Sequence, residues 1–263
     1  VLLAALACAT CGGSARPPTA PTDVPPGGPV PPGPGASPPP PVPGLPQVFV
    51  GAGDIAQCDG NADATARLLD AIGGTVFTLG DNAYFHGSRE DFRDCYEPTW
   101  GRHKPRTRPS PGNHDYESPG AQPYFEYFGA NAGPSGLGYY SFDLGAWHAI
   151  SLNSNVPVHA TSAQAAWLQA DLESHANVHC TVAYWHHPLF SSGPSGDSTA
   201  MRDVWRILYP AGVELVLNGH DHLYERFAPQ DPDGSSDQVR GIRQFIVGTG
   251  GGTLYGFHTP RRN

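Results

Sequence analysis

Val76-Phe77-Thr78-Leu79-Gly80-Asp81-Asn82-Ala83-Tyr84 is the stretch whose reading decides the fold. A short apolar run closed by glycine reads as a buried strand. Asp81 then stands at the carboxyl end of that strand, where open α/β sheets form their sites. The pattern recurs along the chain. Val48-Phe49-Val50 leads to Asp54, and a shorter run through Ser110 leads to Asn113 and His114. Val182-Ala183-Tyr184-Trp185 leads to His186, and Val213-Glu214-Leu215-Val216-Leu217 leads to His220 and His222. One such residue would mean little. Five strand ends in one register predict a built metal centre.

Helical signals separate the runs. Leu68, Leu69 and Ile72 share one face of a segment near Asn61 to Ile72, which Gly73-Gly74 stops. Ser88 to Tyr96 reads as a helix, and Tyr140–Leu144 with Trp147–Leu152 as a hairpin around Gly145. Thr161 with Gln164 predicts a capping box opening a helix through Glu173 that buries Trp167, Leu168 and Leu172. Ser198 or Thr199 opens another through Leu208, and Phe245-Ile246-Val247 adds a strand. Strands alternating with helices predict an α/β fold, largely parallel, with helices outside.

The chain has 263 residues and a formal net charge of −9. That balance argues against nucleic acid as a partner, because phosphate backbones need clustered Lys and Arg. The basic cluster at Arg102, His103, Lys104, Arg106 and Arg108 reads as a solvated loop. Three regions follow from composition. Residues 1–16 resemble the end of a secretory leader lacking its basic start, too short to span a bilayer, which takes about 20 apolar residues. Cys8 follows Ala7 as a lipid-anchored cysteine would, although Leu6 does not suit a lipobox. Residues 17–46 hold 15 prolines and read as an extended spacer; a ligand for proline-binding modules is the alternative. Residues 47–263 read as the domain, with a C-terminus that reads as cut short. Secreted, periplasmic or cell-surface placement follows from the leader, and export permits a Cys58–Cys95 disulfide. Cys180 reads as a small core residue.

Carboxylates, imidazoles and an amide oxygen suit zinc, iron or manganese. Six candidates, Asp54, Asp81, Asn113, His186, His220 and His222, exceed the four ligands of one structural zinc, so one Asp bridges or two ions bind. Gly53-Asp54, Gly80-Asp81-Asn82, Gly112-Asn113-His114-Asp115, His186 and Gly219-His220-Asp221-His222 resemble the successive blocks of the calcineurin-like metallophosphoesterases, over most of residues 47 to 254. Many members carry D-x-H in the first block, where this chain has Ala56. Gly80-Asp81-Asn82-Ala83-Tyr84 is similar instead to the GDxxY block of purple acid phosphatases.

The resemblance implies a sandwich of two mixed β-sheets flanked by helices (αββα). It implies two metal ions, iron(III) with a divalent iron, zinc or manganese. Asp54, Asp81, Tyr84 and His222 would hold the first, and Asp81, Asn113, His186 and His220 the second, with Asp81 shared. The paired charge lowers the pKa of a bound water, which supplies hydroxide for in-line attack on phosphorus. His114 would protonate the leaving oxygen or bind phosphate. Asp115 would orient His114 or cap the next segment; His187 is a substrate-side candidate or a plain exposed histidine. Ser191, Ser192 and Gly193 stand where plant members carry substrate-contacting histidines.

His148 reads as structural, and His103, His159, His175, His179 and His258 as surface or loop residues. His86 follows the Tyr84 loop and could reach substrate, but nothing in the sequence requires it. Gly248-Thr249-Gly250-Gly251-Gly252 reads as a tight turn or a phosphate cradle. The function expected is hydrolysis of phosphomonoesters. A phosphodiesterase on nucleotides or lipid headgroups and a non-catalytic binding domain are the alternatives. No H-E-x-x-H helix is present.

Overall fold

The computed structural model describes residues 4–8, 47–178 and 180–261. The proline-rich spacer and His179 lie outside the described residues. Strands β1 (Ala4–Cys8), β2 (Gln47–Ala52), β3 (Thr75–Leu79) and β4 (Thr107–Ser110) form one sheet in that order. Strands β5 (Tyr140–Leu144), β6 (Trp147–Ser151), β7 (Cys180–Trp185), β8 (Leu215–Asn218), β9 (Tyr224–Arg226) and β10 (Arg243–Val247) form the second, in the order β5-β6-β7-β8-β10-β9. β2-β3-β4 and β6-β7-β8-β10 run parallel, while β1, β5 and β9 pair antiparallel at the edges. Both sheets are therefore mixed. β1 falls within the stretch read as the end of a leader.

Side-chain parity explains the layers, since successive strand residues face opposite sides. On β7, Val182 and Tyr184 face the first sheet, whereas Ala183 and Trp185 face helices α4 (Ala163–Ser174) and α5 (Arg202–Leu208). Between the sheets, Phe49 packs on Phe77 at 4.6 Å and on Tyr184 at 5.6 Å, ring centre to ring centre. Burying each such ring contributes about 1.5–3 kcal/mol. The Tyr184 hydroxyl donates to the Arg108 carbonyl at 3.2 Å, so its polar end is satisfied. Helix α1 (Ala62–Asp70) covers the outer face of the first sheet through Ala66 and Leu69. The αββα sandwich is thus realised.

Local details depart from expectation. Ser162, not Thr161, caps α4, accepting from the Ala165 amide at 3.2 Å. Gln164 is spent elsewhere: its amide clamps the Asn153 backbone from both sides, at 2.7 and 2.9 Å. Ser88 caps a short helix α2 (Arg89–Asp91) that widens into a π turn over Phe92–Tyr96. The basic cluster is not a solvated loop. Arg102 pairs with Asp70, and Arg106 donates to the Leu69 and Gly74 carbonyls. His103 is buried against the Ala66 carbonyl. Cys58 and Cys95 form a disulfide. Cys180 is buried at the start of β7, and it too is disulfide-bonded.

Candidate metal centre

Each proposed ligand lies just past a strand. Asp54, Asp81 and Asn113 follow β2, β3 and β4 of the first sheet, and His186, His220 and His222 follow β7 and β8 of the second. Asp54, Asp81 and His220 hold left-handed backbone angles, with φ of 61°, 50° and 73°. For residues bearing a Cβ this costs on the order of 1–2 kcal/mol each and persists only where the surroundings fix it. Here the loops brace one another. The Asp54 amide donates to the Gly80 carbonyl at 3.0 Å, Ile55 to Asp81 at 2.9 Å, and Gly219 to His186 at 3.0 Å.

The glycine before Asp54, Asp81, Asn113 and His220 is a packing requirement. A Cβ on Gly112 would lie 2.1 Å from Asp81 Oδ1, and one on Gly219 would lie 2.6 Å from Asp54 Oδ2. Only bare backbone lets neighbouring loops approach so closely.

The side chains converge in two groups. Tyr84 Oη lies 3.1 Å from Asp54 Oδ1, 3.1 Å from Asp81 Oδ2 and 2.9 Å from His222 Nε2. His186 Nε2 lies 3.0 Å from Asn113 Oδ1, 3.2 Å from His220 Nδ1 and 3.4 Å from Asp81 Oδ2. One oxygen, Asp81 Oδ2, therefore belongs to both groups. Its partner Oδ1 is taken by the His114 amide at 2.8 Å. The Tyr84 amide donates to the Ala56 carbonyl at 3.0 Å, so the tyrosine stands beside the position where many relatives place a histidine.

Backbone carbonyls aim the imidazoles. His186 Nδ1 donates to the Leu79 carbonyl and His222 Nδ1 to the Thr253 carbonyl, each at 2.7 Å. Both rings then present Nε2 inward, the arrangement that metal-ligating histidines favour. Tyr255 stacks flat on His222, with ring centres 4.2 Å apart and planes 4° apart.

The electrostatics fit a cation. Burial pushes the Asp81 carboxyl up, but the His186 and His114 imidazoles pull it below the usual carboxylate range. Burial lowers His186, and Asp81 more than reverses this, raising it to about 9. Burial and then the Asp54 and Asp81 charges push the Tyr84 phenol far upward. Burial and the neighbouring His186 hold His220 down to about 4, neutral and free to ligate. Carboxylate, phenol and imidazole lone pairs thus face one another with too few protons to pair them all. Ligand atoms about 3 Å apart suit ions with bonds of about 2.0–2.2 Å.

The remaining predicted residues sit around this core. His114 donates from Nδ1 to the Phe85 carbonyl at 2.6 Å, and its Nε2 lies 4.0 Å from Asp81 Oδ2, partly open to solvent. Asp115 is buried and accepts from the Gly112 amide at 2.8 Å and from Asn82 Nδ2 at 2.9 Å. It clamps the second and third ligand loops together, and the Phe85 carbonyl, not Asp115, holds the His114 ring. Burial and the Asp81 charge raise Asp115 to about 7. His187 lies beside His220, ring centres 4.4 Å apart, and burial with two imidazole neighbours lowers it to about 2. Ser154 Oγ accepts from the His187 amide at 3.2 Å and lies within hydrogen-bond distance of His187 Nδ1, at 2.8 Å. His86 turns away from this network in its backbone bonding: its amide goes to Asp91 and its carbonyl to Ser118.

Sequence reasoning missed Asn82, Ser154, Tyr255 and the orienting carbonyls of Leu79, Phe85 and Thr253. Only Asn82 carried a signal, its place inside Gly80-Asp81-Asn82. The Gly248–Gly252 run is a turn and not a cradle, because the amides of Gly248, Gly250 and Gly252 donate to the Leu223, Gly53 and Asp54 carbonyls.

A family profile described as calcineurin-like phosphoesterase matches residues 48–224. Purple acid phosphatase 21 of Arabidopsis thaliana is 33% identical over 213 residues, covering 70% of this chain and 46% of its own length. Purple acid phosphatase 15 of the same plant is 27% identical over 210 residues, covering 66% and 40%. The chain thus spans less than half of these relatives. In fold it is similar to purple acid phosphatase PPD1 from yellow lupin seeds, with a TM-score of 0.70 at 17% identity over 82% of this chain and 46% of that one. Among the described residues, no helix is long and apolar enough to cross a membrane.

Proposed function

The chain belongs to the calcineurin-like phosphoesterases, and from that premise we propose that it hydrolyses phosphate monoesters at a two-metal centre of the purple acid phosphatase kind. The observation that carries this reading is Asp81 Oδ2, 3.1 Å from Tyr84 Oη in one ligand group and 3.4 Å from His186 Nε2 in the other. Asp54, Tyr84 and His222 complete the group suited to iron(III). Asn113, His186 and His220 complete the group suited to divalent iron, zinc or manganese. When bound, such a pair lowers the pKa of water and neutralises charge on phosphate oxygens.

The chain's own residues do the rest. His114 Nε2 opens toward the centre while Nδ1 stays anchored on the Phe85 carbonyl. That ring is held to pass a proton to the leaving oxygen, a role worth about 10²–10⁴-fold in rate. His187 is held neutral beside His220 and Ser154, and so can meet a phosphate oxygen without adding charge. The Cys58–Cys95 disulfide supports placement outside the cytoplasm, in an oxidising compartment.

The test is metal content of the purified protein with its visible spectrum, alongside turnover of p-nitrophenyl phosphate and bis-p-nitrophenyl phosphate. Two ions per chain including iron, a visible phenolate band and preference for the monoester are expected. A preference for the diester replaces the substrate class, and two ions with no turnover of either ester defeats the enzymatic reading.

A further inference from the structure

Away from that centre, on the amino-terminal half of β6, a second group of titratable side chains has no role in the proposed chemistry. His148 is buried, facing α4 on the same side of the strand as Ile150. Its Nε2 donates to Asp171 Oδ2 at 2.7 Å, and Asp171 is itself held by the Ser141 hydroxyl at 2.6 Å. This carboxylate fixes the tautomer and leaves a lone pair on Nδ1. That nitrogen is buried and has no hydrogen-bond partner. It faces Oδ1 of Asp143, its direct strand partner across the hairpin, at 3.7 Å. Two acceptors so placed, too far apart to share a hydrogen bond, are stabilised by a cation between them. A ring nitrogen of His175 completes the set, with the three donor atoms within 4.8 Å of one another. His175 Nδ1 is bonded to the Asp171 carbonyl at 2.7 Å, so Nε2 keeps its lone pair.

We propose that Asp143, His148 and His175 bind a divalent cation of the zinc class, tying the β5–β6 hairpin to the end of α4. Two imidazoles and one carboxylate suit zinc, nickel or copper better than calcium or magnesium. The Asp171–His148 pair supplies the carboxylate–histidine arrangement that orients a ligand ring. Asp143 is largely exposed, which opens a path from solvent. In this structure His175 lies flat on His148, ring centres 3.7 Å apart and planes 18° apart. It is partly exposed and must swing out of the stack to ligate, so its loss weakens binding less than loss of Asp143.

The test is calorimetric titration of the metal-stripped full chain with Zn²⁺, for the natural sequence, Asp143→Ala and His175→Ala. The natural chain is expected to take up one Zn²⁺ per chain more than Asp143→Ala. His175→Ala should bind that ion at least tenfold more weakly. Melting temperatures in chelator, unchanged between the three, establish that the variants fold. Counting the difference between chains keeps the result independent of the catalytic centre and of any turnover. Equal stoichiometry and affinity in all three chains overturns the site and leaves His148 as a packing residue.

Discussion

Gly112→Ala isolates the demand that the ligand loops touch backbone to backbone. The added methyl would lie 2.1 Å from Asp81 Oδ1 and 2.2 Å from the Asp81 amide nitrogen. Ordinary contact begins near 3.4 Å, so the Asn113 loop or Asp81 must retreat by roughly 1.3 Å. Because one contact is main chain, turning the Asp81 side chain cannot relieve it. Metal sites tolerate displacements of only about 0.2 Å in their bond lengths. Asp81 serves both ligand groups and Asn113 one of them, so both ions should loosen. Misplacement by about 1 Å costs on the order of 10²-fold in turnover, or roughly 2.7 kcal/mol in the barrier. The assay is metal per chain after exhaustive dialysis, with kcat for p-nitrophenyl phosphate. Gly73→Ala is the control, since a methyl there meets nothing within 4 Å. Natural metal content and turnover in Gly112→Ala would refute the reasoning.

Three further substitutions probe separate parts. Tyr84→Phe should abolish any phenolate absorption and weaken one ion at least tenfold while the other stays bound, read by spectrum and metal analysis. His114→Gln should retain both ions and slow turnover by about 10²–10⁴-fold; loss of metal would show that it acts on the ligands instead. Replacing Cys58 and Cys95 by alanine opens a loop of sequence separation 37, for which chain entropy gives a loss of about 4 kcal/mol. Urea unfolding of the metal-stripped protein measures it, and a loss under about 1 kcal/mol would mean that the unfolded chain is already compact there.

The centre was readable because its signals are local. A buried run and a candidate ligand lie close in sequence, with a glycine between them at Asp54, Asp81, Asn113 and His220, so these residues, His186 and His222 could be picked out without knowing how the sheets meet. Tyr84 needed the resemblance, since a tyrosine three residues past an aspartate is otherwise ordinary. What could not be read depends on partners far along the chain. Gln164 looked like half of a capping box, yet Asn153 offers it two buried backbone bonds, a stronger demand than the helix end. His103 looked exposed because its neighbours are basic, but α1 covers it. The carbonyls that aim His186, His222 and His114 carry no side-chain signature at all. Asp115 was visible as a residue, while its task of clamping two loops became visible only with Asn82 and Gly112 beside it.

The ligands divide between two sheets: Asp54, Asp81, Tyr84 and Asn113 follow strands of one, and His186, His220 and His222 follow strands of the other. The centre is therefore a latch across the sandwich. Under the proposed ligand set, a fluctuation that parts the sheets would take Asp81 from His186 and release ions, and a bound ion would resist that parting. An ion at a hundred times its dissociation constant adds about 2.7 kcal/mol to the closed form. Metal supply would then set how long the molecule survives proteolysis. Starvation for metal would clear the protein through its own opened seam.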